Sequence, residues 1–287
     1  MPQRSTSSCY VQFGRFRRFD GIEDHPNEGH FSARIRNSRR RRVRSRLDSR
    51  FSRERRVSSG MARTTKSGGA RRLTVRVKSA RRRKPSSTEW LTRQLNDPYV
   101  AEAKRQGYRS RAAFKLQQLD QRFGLLKRGA RVVDLGCAPG GWSQVAAAHA
   151  GPGGAVVGVD LSETEPLPGA TLIRGDFRDD AVVAQIRGVL GGPADLVLSD
   201  MAAPATGHAA TDHLRVVALA EDAFALAKTL LRPGGAFVAK VFQGGAEGDL
   251  LAALKKHFTE VRHAKPAASR AESAETYVVA KGFRGDA

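Results

Sequence analysis

The 287-residue sequence contains few cysteines and no apolar run long enough to cross a membrane. Its two cysteines, Cys9 and Cys137, lie in unlike contexts, so we expect neither a disulfide framework nor a cysteine metal site. The seven histidines show no spacing typical of metal ligands, and no metal is expected. A membrane span needs about 20 apolar residues, and the N-terminus lacks the apolar core of a signal peptide. These absences indicate an intracellular protein with no membrane association.

Acidic residues are scarce in the first part of the chain. Residues 1–84 contain 26 Lys or Arg against 6 Asp or Glu, whereas residues 85–287 contain 24 against 22. Almost all of the formal net charge of +22 therefore belongs to an N-terminal arm. The arm has too few apolar residues to offset the conformational entropy that folding costs, so we expect residues 1–84 to be disordered and residues 85–287 to form the folded domain. A basic arm of this kind favours a polyanionic partner, nucleic acid before anionic membrane.

Lysine is absent from the first 60 residues, which contain 16 arginines. Met61 then opens MARTTKSGGARR, a segment that resembles an ordinary protein start. Residues 1–60 are therefore interpreted either as an extension from a misassigned start codon or as a targeting arm. The acidic residues between Asp20 and Glu28 argue against a mitochondrial transit peptide, so we expect a cytoplasmic protein rather than one of the mitochondrial matrix.

Beyond Ser87, short β-branched runs alternate with segments of helical periodicity. The runs predicted as strands are Arg131–Leu135, Ala155–Leu161, Thr171–Ile173, Asp195–Ser199, Ala236–Phe242 and Thr276–Ala280. The segments predicted as helices are Glu89–Gln106 (capped by Ser87 or Thr88 and broken at Asn96-Asp97-Pro98), Arg111–Phe123 (capped by Ser110), Trp142–His149, Asp179–Leu190, Thr211–Leu231 and Gly248–His257. This alternation predicts an α/β fold with a parallel sheet covered on both faces and an antiparallel last strand.

A glycine-rich segment, Asp134–Gln144 (DLGCAPGGWSQ), follows the first strand and opens a helix, where an open α/β sheet binds its ligand. Gly136, Gly140 and Gly141 let the backbone approach a ligand without a clash from Cβ. The segment matches neither G-x-G-x-x-G nor a P-loop, which disfavours a dinucleotide or a nucleoside triphosphate. The acid at the strand end suits a ligand with a cationic head, such as the amino group of S-adenosylmethionine. The alternative is a glycine-rich turn that binds nothing.

Two further acids follow strands. Asp160 lies 24 residues after Gly136, and an acid at roughly 20 residues' separation binds ribose hydroxyls in Rossmann-type sites. Asp176 follows the third strand in RGDF. Its carboxylate either meets an adenine edge or caps the next helix, and spacing alone leaves both interpretations open.

Lys240 lies inside the apolar strand AFVAKVF, where an unpaired ammonium is costly. Such a lysine is either paired structurally or used in chemistry, and burial favours its neutral form. Asp200 ends the preceding strand near the same edge of the sheet, so it is a candidate partner. Lys115 and Glu275 would be unremarkable alone, because surface helices and strand entries often carry such charges.

Six segments, in this order, resemble the FtsJ/RrmJ family of ribosomal RNA 2′-O-methyltransferases, and the resemblance runs from about Ser87 to Phe283. They are RSRAAFKL (109–116), DLGCAPGGWSQ (134–144), GDFRD (175–179), LSDMA (198–202), VAKVFQG (238–244) and KPAASRAESAETY (265–277). The resemblance implies a Rossmann-like S-adenosylmethionine-dependent methyltransferase fold, with a mostly parallel seven-stranded sheet and helices on both faces. The long arm departs from the family's pattern.

The resemblance also implies the site residues. The family's catalytic Lys-Asp-Lys-Glu tetrad falls on Lys115, Asp200, Lys240 and Glu275. Its cofactor contacts fall on Gly140, Trp142, Asp160, Asp176 and Asp200, to which the strand–loop position adds Asp134 and Gly136.

The implied reaction is methyl transfer from S-adenosylmethionine to the ribose 2′-hydroxyl of a uridine in 23S ribosomal RNA. Lys240 then acts either as a neutral base or as a charged group that orients the hydroxyl, and we favour the base. The tetrad also serves methylation of transfer RNA and messenger RNA caps, so another RNA is the alternative substrate. A catalytically silent RNA-binding protein and a small-molecule methyltransferase fit the intact tetrad and the basic arm less well. We expect a monomer that acts on ribosomal RNA within the large subunit.

Overall fold

The computed structural model describes Val75, Val77 and residues 85–244 and 247–285. The predicted arm therefore lies, except for Val75 and Val77, outside the described residues. Cys9, Met61 and both interpretations of residues 1–60 lie outside them as well. Within the described part, no helix is both long and apolar enough to span a membrane.

Seven strands form one sheet, in the order β3-β2-β1-β4-β5-β7-β6. The strands are β1 (Arg131–Leu135), β2 (Ala155–Asp160), β3 (Thr171–Arg174), β4 (Ala194–Ser199), β5 (Leu231–Phe242), β6 (Phe258–Ala264) and β7 (Glu275–Phe283). Strands β1 to β5 are parallel, whereas β7 lies antiparallel to both β5 and β6. Because β1 has β2 on one side and β4 on the other, the chain reverses direction across the sheet there, and a ligand crevice is expected at the carboxyl ends of these strands.

Helices cover both faces of the sheet. They are α1 (Pro85–Asn96), α2 (Pro98–Gln106), α3 (Ala112–Phe123), α4 (Gly141–Ala150), α5 (Asp180–Leu190), α6 (Ala209–Leu230) and α7 (Gly248–His257). Alternate strand residues face two separate cores: Val132 packs with α3 and α4, whereas Val133 packs with α5, α6 and α7. The predicted α/β fold with a doubly covered sheet is therefore confirmed.

The predicted N-cap residues of the first and third helices are wrong. α1 begins at Pro85, which places Ser87 and Thr88 inside the helix, and proline is favoured in a first helical turn. The N-cap residue of α3 is Arg111, without a side-chain cap. The Ser110 hydroxyl is buried and has no hydrogen-bond partner among the described residues. The predicted break is confirmed, because the Asp97 carboxylate accepts a hydrogen bond from Tyr99 N and caps α2.

One strand, β6, is missing from the sequence prediction. It is an edge strand with mostly exposed or half-exposed side chains, so it lacks the apolar run that marks a buried strand. Two other strands are longer than predicted: β5 begins at Leu231 rather than Ala236, and β7 spans Glu275–Phe283 rather than Thr276–Ala280. The remaining strands and the later helices begin and end within one or two residues of the predicted limits.

Candidate active site

A cavity of about 500 Å³ lies at the carboxyl ends of β1 and β4. The glycine loop, residues 136–141, lines it through every residue except Gly140, together with Asp134 and Trp142. The rest of the lining includes Lys115, Asp200 and Glu275. This is the crevice that the strand order predicts.

Four charged side chains, from α3, the end of β4, β5 and β7, converge beside the cavity. These are the predicted tetrad residues, and they form a continuous chain of ion pairs. Lys240 Nζ lies 3.2 Å from Asp200 Oδ1 and donates to the Asp200 carbonyl oxygen at 2.7 Å. Lys115 Nζ lies 2.8 Å from Glu275 Oε1 and 3.8 Å from Asp200 Oδ2. Lys240 is 7% exposed, so the ammonium expected to be costly in this strand has a partner.

Asp200 is the centre of this chain of ion pairs. Burial opposes ionisation of its carboxyl group, but the charges of Lys240 and Lys115 together with hydrogen bonds from Tyr277 and Lys240 outweigh burial, so the pKa of Asp200 lies below the ordinary value. Asp200 also accepts a hydrogen bond from Tyr277 Oη at 2.7 Å. Burial, then the nearby Asp200 and Glu275, raises the pKa of Tyr277 well above its usual range. The Tyr277 hydroxyl therefore stays a donor at neutral pH.

Sequence reasoning did not single out Tyr277 and Ser269, which both bond the tetrad. Ser269 Oγ donates to Glu275 Oε1 at 2.7 Å. Tyr277 pairs directly with Lys240 in the register of β5 and β7. A signal for Tyr277 was present, because a polar hydroxyl in the apolar run TYVVA needs a buried partner.

Asp134 is fully buried at the end of β1. Its Oδ2 accepts a hydrogen bond from Ser143 Oγ at 2.6 Å, whereas Oδ1 is buried without a hydrogen-bond partner among the described residues. Burial raises the pKa of Asp134 to about 7, against the opposing hydrogen bond from Ser143. An unsatisfied buried acceptor beside a cavity is a site for a cationic or donor group of a ligand. The residues present therefore fit the amino group of the expected cofactor.

The glycines of the loop are required by protein neighbours as well as by backbone geometry. Gly136 and Gly140 have φ angles of 77° and 105°, a region that favours glycine. A Cβ at Gly136 would collide with Met201, and one at Gly140 would lie 2.9 Å from Arg109 Nη1. Protein neighbours therefore give an additional reason for these glycines, and close approach of the backbone to a ligand stays a prediction.

The other expected cofactor residues lie around the loop. Asp160 Oδ2 accepts from Ala138 N at 3.0 Å, and Asp160 Oδ1 accepts from Ser162 N at 2.8 Å. Trp142 Nε1 donates to Ala112 O at 2.8 Å. Both side chains therefore fix backbone around the cavity.

Asp176 does not cap α5, whose N-cap residue is Asp179. Its Oδ1 accepts hydrogen bonds from Arg178 N at 3.0 Å and Arg178 Nε at 2.9 Å. The capping interpretation of Asp176 is therefore wrong.

The cavity brings some of the expected cofactor residues together and leaves others outside. Asp134, Gly136, Trp142 and Asp200 line it, whereas Gly140, Asp160 and Asp176 lie outside its lining. In the described part of the chain, no three His, Cys, Asp or Glu side chains form a group that could hold a metal ion.

Comparison with known proteins agrees with this geometry. A sequence model of the FtsJ-like methyltransferase family matches residues 108–283, which include the glycine loop and the whole tetrad. Ribosomal RNA large subunit methyltransferase E of Paramagnetospirillum magneticum is 65% identical over 223 residues, covering 76% of this chain and 91% of that protein. The protein of the same name from Acidiphilium cryptum is 60% identical over 220 residues, covering 77% of this chain and 97% of that protein.

A solved structure extends the comparison to the fold. The crystal structure of a ribosomal RNA methyltransferase from Plasmodium falciparum has a TM-score of 0.56 and 31% sequence identity. The match covers 62% of this chain and 100% of that chain. The Rossmann-like fold, the methyltransferase activity and the family expected from the sequence are confirmed. The chain belongs to the FtsJ-like methyltransferase family.

Proposed function

We propose that this enzyme transfers a methyl group from S-adenosylmethionine to the ribose 2′-hydroxyl of a uridine in 23S ribosomal RNA. The observation that carries the proposal is the shared cavity, which is lined by the unsatisfied Asp134 and by three of the four paired tetrad residues, Lys115, Asp200 and Glu275. The names of the relatives support ribosomal RNA of the large subunit as the substrate.

S-adenosylmethionine, when bound, supplies an electrophilic methyl group on a sulfonium. The chain has to bind it, align the hydroxyl and accept a proton as the C–O bond forms. Asp134 provides a buried carboxylate oxygen for the amino group. We propose that Gly136, Gly140 and Trp142 shape the backbone around the cofactor, that Asp160 contacts its ribose and that Asp176 contacts its adenine edge. Asp200 links the cavity to Lys240, because it lines the cavity and pairs with Lys240.

Lys240 is the proposed base. The ion pair with Asp200 is the resting, protonated form of Lys240, and the side chain acts as a base after it has released one proton to solvent. The neutral amine then has two N–H donors and one lone pair, and Lys240 Nζ has two acceptors in Asp200, the carbonyl oxygen at 2.7 Å and Oδ1 at 3.2 Å. If both donors are used there, the lone pair is left to accept the hydroxyl proton. Asp200 thereby orients Lys240, and Lys115 and Glu275 balance the charge around Asp200.

The arm and the setting complete the proposal. Residues 1–84 supply electrostatic attraction to RNA without sequence preference. We propose that the enzyme works as a monomer in the cytoplasm, on RNA assembled in the large ribosomal subunit.

A transfer assay with labelled S-adenosylmethionine tests the substrate. Free 23S ribosomal RNA, intact large subunits and transfer RNA are compared, all lacking the methyl group. We expect label in large subunits above both other RNAs. Preferential labelling of transfer RNA would contradict the proposed substrate, and absence of label in all three would contradict the activity.

A further inference from the structure

Arg109, in the turn between α2 and α3, bonds two loops at the carboxyl edge of the sheet. Its Nη1 donates to the carbonyl oxygens of Glu165 at 2.7 Å and Pro139 at 3.3 Å, and its Nη2 donates to that of Pro166 at 2.6 Å. Pro139 belongs to the glycine loop, whereas Glu165 and Pro166 belong to the β2–β3 loop, residues 161–170. One guanidinium group therefore ties together two loops that are distant in sequence.

The turn that carries Arg109 is itself fixed to α4. Gln144 accepts a hydrogen bond from Arg109 N at 3.1 Å and donates one to Gly107 O at 2.8 Å. The Arg109 side chain also packs over Gly140, since a Cβ there would lie 2.9 Å from Nη1 and 3.1 Å from Cδ. The position of the guanidinium is thus fixed by the bonds of Gln144 to the turn and by packing against Gly140.

Asp160 bridges the same two loops, since it accepts from Ala138 N in one and Ser162 N in the other. The two bridges differ in kind. Asp160 is a proposed cofactor contact, whereas the three side-chain hydrogen bonds of Arg109 all go to backbone carbonyls of the two loops. The Arg109 guanidinium therefore acts on the positions of the two loops.

We propose that Arg109 is a positioning residue, which holds the glycine loop and the β2–β3 loop at the separation that S-adenosylmethionine requires. The inference rests on the proposed function. A guanidinium suits this task because it presents five donors in a planar fork, whereas a lysine ammonium acts as a point charge. Without the bridge, the loops spend part of the time in other positions, and the apparent affinity falls by the binding-competent fraction.

Calorimetry of S-adenosylmethionine binding to the full-length protein tests the role. The Kd of Arg109→Ala should rise on the order of tenfold, and that of Arg109→Lys should rise as well. At saturating cofactor, kcat should stay within about twofold, because the tetrad is untouched. Arg284→Ala is the matched control: Arg284 also donates to two backbone carbonyls, those of Lys255 and Lys256, away from the cavity.

Hydrogen exchange supplies a readout that general destabilisation would not give. In Arg109→Ala, amides of residues 136–141 and 161–170 should exchange faster, with the sheet unchanged, and cofactor should restore their protection. A Kd within twofold of wild type, or an equal rise in Arg284→Ala, overturns the inference. If Arg109→Ala does not melt cooperatively, the Kd of Arg109→Lys decides by the same criterion. Wild-type protein that fails to bind S-adenosylmethionine would instead contradict the proposed function.

Discussion

The glycine loop and the tetrad meet at one cavity, which all tetrad residues except Lys240 line, but the two are built in opposite ways. The loop is one contiguous stretch of backbone, and the acid below it keeps a buried oxygen without a hydrogen-bond partner among the described residues. The tetrad is assembled from residues up to 160 positions apart, and each of its charges is paired with another. The loop wall is therefore suited to a ligand that completes it, whereas the tetrad is satisfied by itself. Changes in the loop should alter cofactor binding, and changes in the tetrad should alter turnover.

The largest expected effect is at Lys240. Lys240→Ala removes the proposed base and should lower kcat by about 10²–10⁴. Cofactor affinity should stay within a few fold, since Lys240 does not line the cavity. Single-turnover methyl transfer and calorimetry measure the two quantities.

Lys281→Ala is the matched control for that substitution. Lys281 also lies in a strand of the sheet and donates to a backbone carbonyl, that of Phe123, away from the tetrad. It should keep wild-type turnover. Wild-type turnover in Lys240→Ala would exclude Lys240 as the base.

The second largest effect is expected in the glycine loop, where Gly140→Val should abolish cofactor binding. Valine is strained at a φ of 105°, and its Cβ would press on Arg109. We expect no binding by calorimetry in a protein that still melts cooperatively. Gly153→Val is the control, because a Cβ there has open space. Normal cofactor binding by Gly140→Val would mean that the loop is not the cofactor site.

A third effect concerns pH and Asp134. Burial raises its pKa from 3.8 to about 7 in the folded protein, so the folded state holds a proton that the unfolded state releases between these values. The stability that Asp134 contributes is therefore lost as pH rises from about 4 to about 7. Cofactor affinity should rise over the upper part of this window, because the ionised carboxylate pairs with the amino group.

Asp134→Asn should abolish both pH dependences, while its amide can still bond Ser143. The free energy of unfolding of the variant minus that of wild type should be larger at pH 8 than at pH 5. Denaturant unfolding without cofactor measures both free energies at each pH. Affinity in wild type that falls as pH rises through 7 would show that Asp134 does not bind a cation.

The smallest expected effect is deletion of residues 1–60, which contain no residue of the glycine loop or the tetrad. A protein starting at Met61 should match the full-length melting temperature and, at physiological salt, its turnover. At low salt it should bind RNA more weakly. An inactive or misfolded product would show that the arm is part of the enzyme.

Residues 71–84 are expected to behave differently, because they adjoin the domain. Val75 exchanges hydrogen bonds with the Asn96 side chain at 2.8 and 3.0 Å. Removing residues 71–84 as well should raise the apparent KM for RNA more than it lowers kcat. This stretch is expected to stabilise bound RNA equally in the ground state and in the transition state. A fall in kcat alone would contradict a role in tethering.

The sequence predicts the parts of this molecule that are local. Alternating β-branched runs and helical segments specify the doubly covered sheet, and the glycine loop is one contiguous motif. The edge strand β6 is not predicted from the sequence, because an edge strand can pair without an apolar run. For the tetrad, Lys240 and Asp200 stand out by their strand positions, whereas Lys115 and Glu275 are identified only by the family resemblance.

The contacts that escape prediction are long-range and involve backbone groups. Arg109 donates hydrogen bonds to carbonyl oxygens 30, 56 and 57 residues away. Every residue has a backbone carbonyl, so residue type does not indicate which ones accept these bonds. Tyr277 looks like any aromatic residue in a buried strand until the register of β5 and β7 places it opposite Lys240. Sequence reasoning therefore identifies the reacting groups more readily than the residues that position them.

The position of the transferred methyl group tests the central claim most directly. Large subunits lacking the modification are incubated with the enzyme and labelled S-adenosylmethionine, and their 23S RNA is then hydrolysed in alkali. Alkaline cleavage requires a free 2′-hydroxyl, so we predict that the label remains in an alkali-resistant dinucleotide whose 5′ nucleoside is uridine. Label released in mononucleotides would place the methyl group on a base and contradict ribose methylation.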